Sequence, residues 1–134
     1  MSRILLDTSA YSAYRRGDER IHGALIDAEA VYVSAVVLGE LQVGFRNGTR
    51  LQENLDELRQ FLDKPIVEVA FVTDQTAEVY SHVYSDLRRR GTPIPINDVW
   101  IAAQCLELGA ALVTLDSHFL GVGGLRVKPT PAAS

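Results

Sequence analysis

The chain has 134 residues and a formal net charge of −4, with 47% apolar and 22% charged residues. That length suits one domain, taken here as residues 1–134, with a single proper core. With only two lysines, Lys64 and Lys128, the chain is not a broadly basic nucleic-acid binder. The start MSRILLD lacks signal-peptide form, because Asp7 interrupts the apolar run, and nothing approaches the roughly 18 apolar residues of a membrane span. One cysteine, Cys105, can form no internal disulfide. It reads as a small core hydrophobe in a reduced, cytoplasmic setting.

Arg3 to Leu6 reads as a strand ending at Asp7. Asp7, Thr8 or Ser9 can cap a helix from Ser9 to Arg16, closed by Gly17. A second helix, Glu19 to Ala28, gathers Ile21, Ala24, Leu25 and Ala28 on one face. Val31 to Val33 is a strand. Ser34 caps a helix running to Arg46, where Asn47 and Gly48 stop it. Thr49 is expected to cap a fourth helix with Leu51, Leu55, Leu58 and Leu62 in register, broken at Lys64-Pro65. Ile66 to Val69 is a third strand. A long helix, Asp74 to Arg90, turns Ala77, Tyr80, Val83, Tyr84 and Leu87 inward and ends at Gly91.

The stretch from Thr92 to Phe119 organises the rest. Pro93 and Pro95 hold an extended lead-in. The helix from Asn97 to Leu108 carries only Gln104 and Glu107 as polar residues after its first turn, and a helix apolar all round is buried. Gly109 caps it, and an apolar strand follows, Ala111 to Leu115, broken by Asp116. Leu125 to Val127 is a last short strand, and the tail KPTPAAS is expected to be mobile. Strands alternating with helices, often in pairs, define a three-layer α/β/α domain with a mostly parallel sheet. Ligands of such sheets bind beyond the carboxyl ends of the strands, where Asp7 and Asp116 both fall.

Four acids stand out. Asp7 is either a helix cap or a site residue, and Asp116 either a turn residue or a site residue. Asp98 lies in a first helical turn, which favours a negative charge in any case. Glu40 is the most telling. At roughly 100° per residue it falls inside an apolar arc of Val36, Val37, Leu41, Val43 and Gly44, with no helical ion-pair partner. A carboxylate turned toward a core needs a cation, either a metal ion or a distant arginine. Four facing acids repel by about 4 kcal/mol per pair at ~4 Å and an effective dielectric of ~20. One or two divalent cations reverse that sign, and an all-carboxylate set suits Mg²⁺ or Mn²⁺. His22, His82 and His118 show no metal-ligand spacing and read as surface residues.

LLDTSA (Leu5 to Ala10), SAVVLGELQVG (Ser34 to Gly44), INDVWIAA (Ile96 to Ala103) and VTLDSHF (Val113 to Phe119) together resemble PIN-domain proteins, above all the VapC-type ribonuclease toxins of prokaryotic toxin–antitoxin pairs. The resemblance spans nearly the whole chain. It implies Mg²⁺- or Mn²⁺-dependent endonucleolytic cleavage of RNA, with Asp7, Glu40, Asp98 and Asp116 on the family's four acidic positions. Thr8 or Ser9, and Thr114, match its hydroxyl positions. It also implies a VapB-type antitoxin as partner and a homodimer, for which Tyr11, Tyr14 and the helix from Thr49 to Asp63 offer apolar surface. On that reading Asp7 and Asp98 are the main metal ligands, and Glu40 and Asp116 complete the pocket. Two bound divalent ions bring the net charge near zero. Arg15, Arg16, Arg46, Arg50 and the run Arg88-Arg89-Arg90 can then hold phosphates, although the run equally suits a helix C-terminus.

Two other readings compete. A catalytically silent module could use the same fold for binding. A Mg²⁺-dependent phosphoryl-transfer or receiver-like domain also places Asp at strand ends. Asp7, however, has no adjacent acid and no Asp two residues on, and the gap from Asp116 to Leu125 is short for a crossover helix.

Overall fold

A computed structural model describes residues 2–129. Its strands are β1 (Arg3–Leu6), β2 (Ala30–Ser34), β3 (Val67–Ala70), β4 (Ala111–Val113) and β5 (Val127–Lys128). They form one sheet in the order β3-β2-β1-β4-β5, parallel at every pairing. The helices are α1 (Thr8–Arg15), α2 (Glu19–Ile26), α3 (Ala35–Arg46), α4 (Leu51–Leu62), α5 (Asp74–Arg89) and α6 (Ile96–Leu108), with a 3-10 helix at Ser117–Gly121. The expected three-layer α/β/α architecture is present, and the sheet is parallel throughout rather than mostly.

β1 lies at the centre of the sheet. Ile4, Leu5 and Leu6 are buried because both faces of a parallel sheet are covered, which is why RILL shows no alternation. β1 leads to β2 and then β3 in one direction, and the next crossover returns past β1 to β4. Right-handed crossovers therefore put α1 to α4 on one face and α5 and α6 on the other. β1 and β4 flank the point where the direction reverses, which in open α/β sheets is where the ligand crevice lies, beyond the carboxyl ends of the strands.

α6 is buried as its composition requires: Val99, Ile101, Ala102, Ala103, Gln104 and Cys105 are all inaccessible. Its two interior polar side chains are both engaged. Gln104 Nε2 donates to the Ala70 carbonyl at the end of β3 (3.0 Å), and Glu107 accepts from Thr76 Oγ1 at the head of α5 (2.7 Å). Gly109 closes the helix in the left-handed region at φ 64°, where a Cβ is disfavoured. Burial pushes the Cys105 thiol far up, so it is an inert core residue.

Several local expectations need correction. Thr49 does not cap α4. The helix begins after Arg50 with no side-chain cap, and Arg50 pairs with Glu53 in the first turn. Ala77 faces solvent and Thr76 takes the inward position, drawn in by Glu107. Tyr84 is also partly exposed. In α3 the buried line is Val37 and Leu41, while Val43 is 60% exposed, so Glu40 lies at the edge of the apolar arc rather than inside it. A helix so apolar gives no unique arc to a periodicity argument. Leu115 lies outside β4, and β5 is shifted to include Lys128. Of the tail expected to be mobile, residues 130–134 lie outside the described residues. Tyr11 and Tyr14 are not spare surface: both pack edge-on against Phe61, at 5.4 and 5.2 Å. No described helix is long and apolar enough to cross a membrane.

Candidate active site

Asp7 is placed by the sheet. The β1–β4 register pairs Leu6 with Val113, which sets Thr114 beside Asp7. The Asp7 amide donates to the Val113 carbonyl (3.2 Å), and Thr114 Oγ1 donates to Asp7 Oδ2 (2.5 Å). Asp7 Oδ1 caps α1 by accepting from the Ala10 amide (2.8 Å) and also accepts from Ser9 Oγ (2.7 Å). Thr114 Oγ1 accepts in turn from the Asp116 amide (2.9 Å), and Ser9 Oγ from the Leu115 amide (3.0 Å). Two hydroxyls thus knit the end of β1 to the turn after β4. Asp7 is only 4% exposed. Burial raises its pKa above the ordinary carboxylate value. Bonds from Thr114, Ala10 and Ser9 oppose that rise, and the Asp116 charge adds to it.

Glu40, half-buried on α3, is reached from two sides. Thr8 Oγ1 donates to its Oε1 at 2.7 Å, and Asn97 Nδ2 approaches its Oε2 at 3.4 Å, a long contact. No Lys or Arg pairs with it among the described residues. Asp98, in the first turn of α6, has a side chain only 15% exposed and meets His118 Nδ1 at 3.2 Å. Burial raises its pKa, the His118 bond opposes this, and the charges of Glu40 and Asp116 add to the rise. Asp116 is exposed, at the head of the 3-10 helix, and its side chain makes no capping bond.

The four acids therefore share one end of the sheet, where the Asp116 charge adds to the raised pKa of Asp7 and the Glu40 and Asp116 charges add to that of Asp98. They do not form a closed ligand set. Among the described residues, no three Asp, Glu, His or Cys side chains stand together as a group able to hold an ion. Each of Asp7, Glu40 and Asp98 is turned to a hydroxyl, amide or imidazole donor. The donor chemistry nevertheless fits a hard divalent cation: four carboxylates, two with raised proton affinity, and no Lys or Arg among the described residues paired with any of them.

The arginines are less available than their number suggests. Arg15 pairs with Glu57 (3.1 Å), and Arg50 with Glu53. Arg89 and Arg90 both pair with Asp86, and Arg90 Nη2 also donates to the Gly121 carbonyl (2.5 Å). Arg46 and Arg88 have no ion-pair partner among the described residues. Asn97 carries no signal of its own in the sequence, and His118 is at the surface as expected, but its contact with Asp98 is not foreseen. Their only signal is adjacency, since Asn97 precedes Asp98 and His118 is two residues past Asp116. His22 is not a plain surface residue, because it stacks on Tyr14 at 4.4 Å.

An all-parallel α/β sheet with acids gathered at its topological switch point defines a class of proteins that act on ligands at the strand ends. Within that class, the PIN domain family model matches residues 4–125, and the chain belongs to this family. Ribonuclease VapC5 of Mycobacterium tuberculosis is 28% identical over 120 residues, covering 90% of this chain and 87% of that protein. The crystal structure of VapBC-5 from the same organism, a member of the VapBC family of toxin–antitoxin systems, superimposes with a TM-score of 0.74 at 26% identity, covering 96% of this chain and 97% of the other. The fold is shared as well with VapBC2 from Rickettsia felis bound to a promoter DNA fragment, at a TM-score of 0.82, 23% identity and coverage of 94% and 97%.

Proposed function

We propose that this protein is a Mg²⁺- or Mn²⁺-dependent endoribonuclease, the toxin of a VapBC-type pair. The observation that carries this reading is the set of four acids at the switch point, with no Lys or Arg of the described chain paired to them. The relationship to proteins named ribonuclease VapC and to VapBC complexes supports the substrate and the partner.

One or two divalent ions would be held by Asp7 and Asp98, with Glu40 and Asp116 completing the set. Such an ion supplies Lewis acidity toward a phosphoryl oxygen and lowers the pKa of a water. The chain's own residues do the rest. Thr114 and Ser9 fix the Asp7 carboxylate, and Thr8 fixes Glu40, which limits the freedom of both side chains. Arg46 and Arg88 are the cations free to hold RNA phosphates, more so than Arg15, Arg89 and Arg90.

The purified chain should cut RNA internally when Mg²⁺ or Mn²⁺ is added, and Asp7→Asn should not. In cells, expression should arrest growth, and the product of the adjacent small open reading frame should relieve the arrest and co-purify. A chain that is harmless alone, whose active-site variants change nothing in cells, refutes the toxin reading. A symmetric homodimer is part of the proposal, and sedimentation showing only monomer at micromolar concentration counts against it. The competing reading is a PIN-fold binding module without catalysis. RNA binding with no Mn²⁺ binding and no cleavage would select it.

A further inference from the structure

The 3-10 helix Ser117–Gly121 brings His118 over the head of α6, where its Nδ1 lies 3.2 Å from Asp98 Oδ2. Exposed His–Asp pairs usually contribute little, and the His118 side chain is 51% exposed. Three features set this pair apart. The Asp98 carboxylate is mostly buried and has few waters to replace the imidazole. The ring is delivered by an anchored backbone: its neighbour Phe119 is 1% exposed, the Val122 amide returns to the Phe119 carbonyl (3.1 Å), and Arg90 of the α5 C-cap clamps the Gly121 carbonyl (2.5 Å). And among the described residues His118 is the one ionisable cationic side chain that touches any of the four acids.

We propose that His118 is a positioning residue for Asp98: its Nδ1–H holds Oδ2 against the repulsion of Glu40 and Asp116, leaving Oδ1 directed to the crevice for a divalent cation. This rests on the metal-dependent reading above. A ring nitrogen facing a carboxylate oxygen does so as a donor, which fixes the hydrogen on Nδ1. Carboxylates that bind metals are themselves commonly hydrogen-bonded, and losing such a partner typically weakens metal binding about 10- to 100-fold. Arg90, which also pairs with Asp86, thereby serves the site through the turn that carries His118.

The test is Mn²⁺ binding to the purified full chain, measured by titration calorimetry and by the loss of the free-ion electron paramagnetic resonance signal. Wild type, His118→Ala and His118→Asn are compared, together with melting in EDTA. The alanine variant should bind Mn²⁺ about tenfold more weakly or worse. Asparagine carries a donor, Nδ2, close to the place of Nδ1, and should restore affinity to within about threefold. Both variants should melt near wild type in EDTA, since an exposed side chain is being changed. Cleavage by His118→Ala should need more Mn²⁺ but recover at saturation, which loss of a group that touches substrate would not allow.

Wild-type affinity in His118→Ala overturns the proposal and leaves the nuclease reading intact. An asparagine variant as weak as alanine also overturns it, because the ring itself would then be required. A wild-type chain that binds no Mn²⁺ removes the metal-dependent reading and the positioning role with it.

Discussion

Replacing Thr114 by valine keeps the side-chain volume and removes one hydroxyl. That hydroxyl is almost wholly buried, donates to Asp7 Oδ2 at 2.5 Å and accepts from the Asp116 amide at 2.9 Å. A bond to a charged group is worth roughly 1.5–3 kcal/mol net. The Asp116 amide is beside an exposed residue, where water can replace the lost acceptor at a cost of about 0.5 kcal/mol. The added methyl returns at most about 0.8 kcal/mol of burial. The expected loss is therefore about 2 kcal/mol, roughly 6–10 °C in melting temperature for a chain of this size. Urea unfolding at pH 7.5 in EDTA reads it without metal linkage, and Thr114→Ser should recover most of the loss. A valine variant within about 0.5 kcal/mol of wild type would show that the hydroxyl does not hold Asp7.

The same variant has a pH signature. The pKa of Asp7 is raised, chiefly by burial, so its ionisation opposes folding at neutral pH. That opposition fades as pH falls through the folded value toward the unfolded value of 3.8. The Thr114 bond lowers the pKa, so its removal raises it further and deepens the penalty at neutral pH. The gap between Thr114→Val and wild type should therefore narrow on acidification. A gap that widens would place the effect elsewhere.

Asp98→Asn removes a carboxylate charge that burial penalises most, together with the lesser repulsions of Glu40 and Asp116, and gives up the charge assistance of the His118 bond. In EDTA it should be as stable as wild type or slightly more so, while the Mn²⁺-induced rise in melting temperature expected of wild type should be absent; a collapse of the metal-free fold would make Asp98 structural. Ser34→Ala should cost about 1 kcal/mol, because Ser34 Oγ caps α3 at the Val36 amide (3.0 Å), whereas Thr49→Ala should stay within about 0.5 kcal/mol, a contrast read by urea titration. Cys105 should resist iodoacetamide in the native state and react fully in urea, as followed by mass spectrometry; rapid native labelling would contradict its burial and raised pKa.

What could be read from the sequence was whatever one residue type forces on the backbone. Apolar runs mark β1, β2 and β4 because a parallel sheet buried on both faces needs nothing subtler, whereas the edge strand β3 is interrupted by the exposed Glu68. Gly109 and Ser34 marked real boundaries because each fills a conformational or donor requirement of a helix end. Thr49 does not cap α4, whose N-terminal boundary falls one residue later, at Arg50, within the usual uncertainty of a helix end. The inward face of α5 was misread at Ala77 because Glu107, thirty-one positions away from Thr76, decides which residue turns in. The same limit governs the site. Each acid was visible as an oddity of its own element, yet the donors that hold them, Thr8 on Glu40 and His118 on Asp98, are long-range contacts with no periodic signature.

α6 shows why fold and site are hard to separate in this chain. A helix inaccessible on nearly every face has no surface of its own to fix its rotation, since apolar packing tolerates small slides. Its two interior polar residues supply that fix. Gln104 is tied to the last carbonyl of β3, and Glu107 to the hydroxyls at the head of α5. Both ties are directional, and each is lost if the helix shifts by a residue, because a buried polar group left unpaired costs about 1–3 kcal/mol. The position they fix is that of the first turn, where Asn97 faces Glu40 and Asp98 faces His118. Gln104 and Glu107 touch none of the four acids, but they set where Asp98 stands relative to Asp7. Gln104→Leu removes the buried, unpartnered Gln104 Oε1 but leaves the Ala70 carbonyl without its donor, so it should cost about 1 kcal/mol of stability and weaken Mn²⁺ binding. Unchanged Mn²⁺ affinity in that variant would mean that apolar packing alone holds the helix in register.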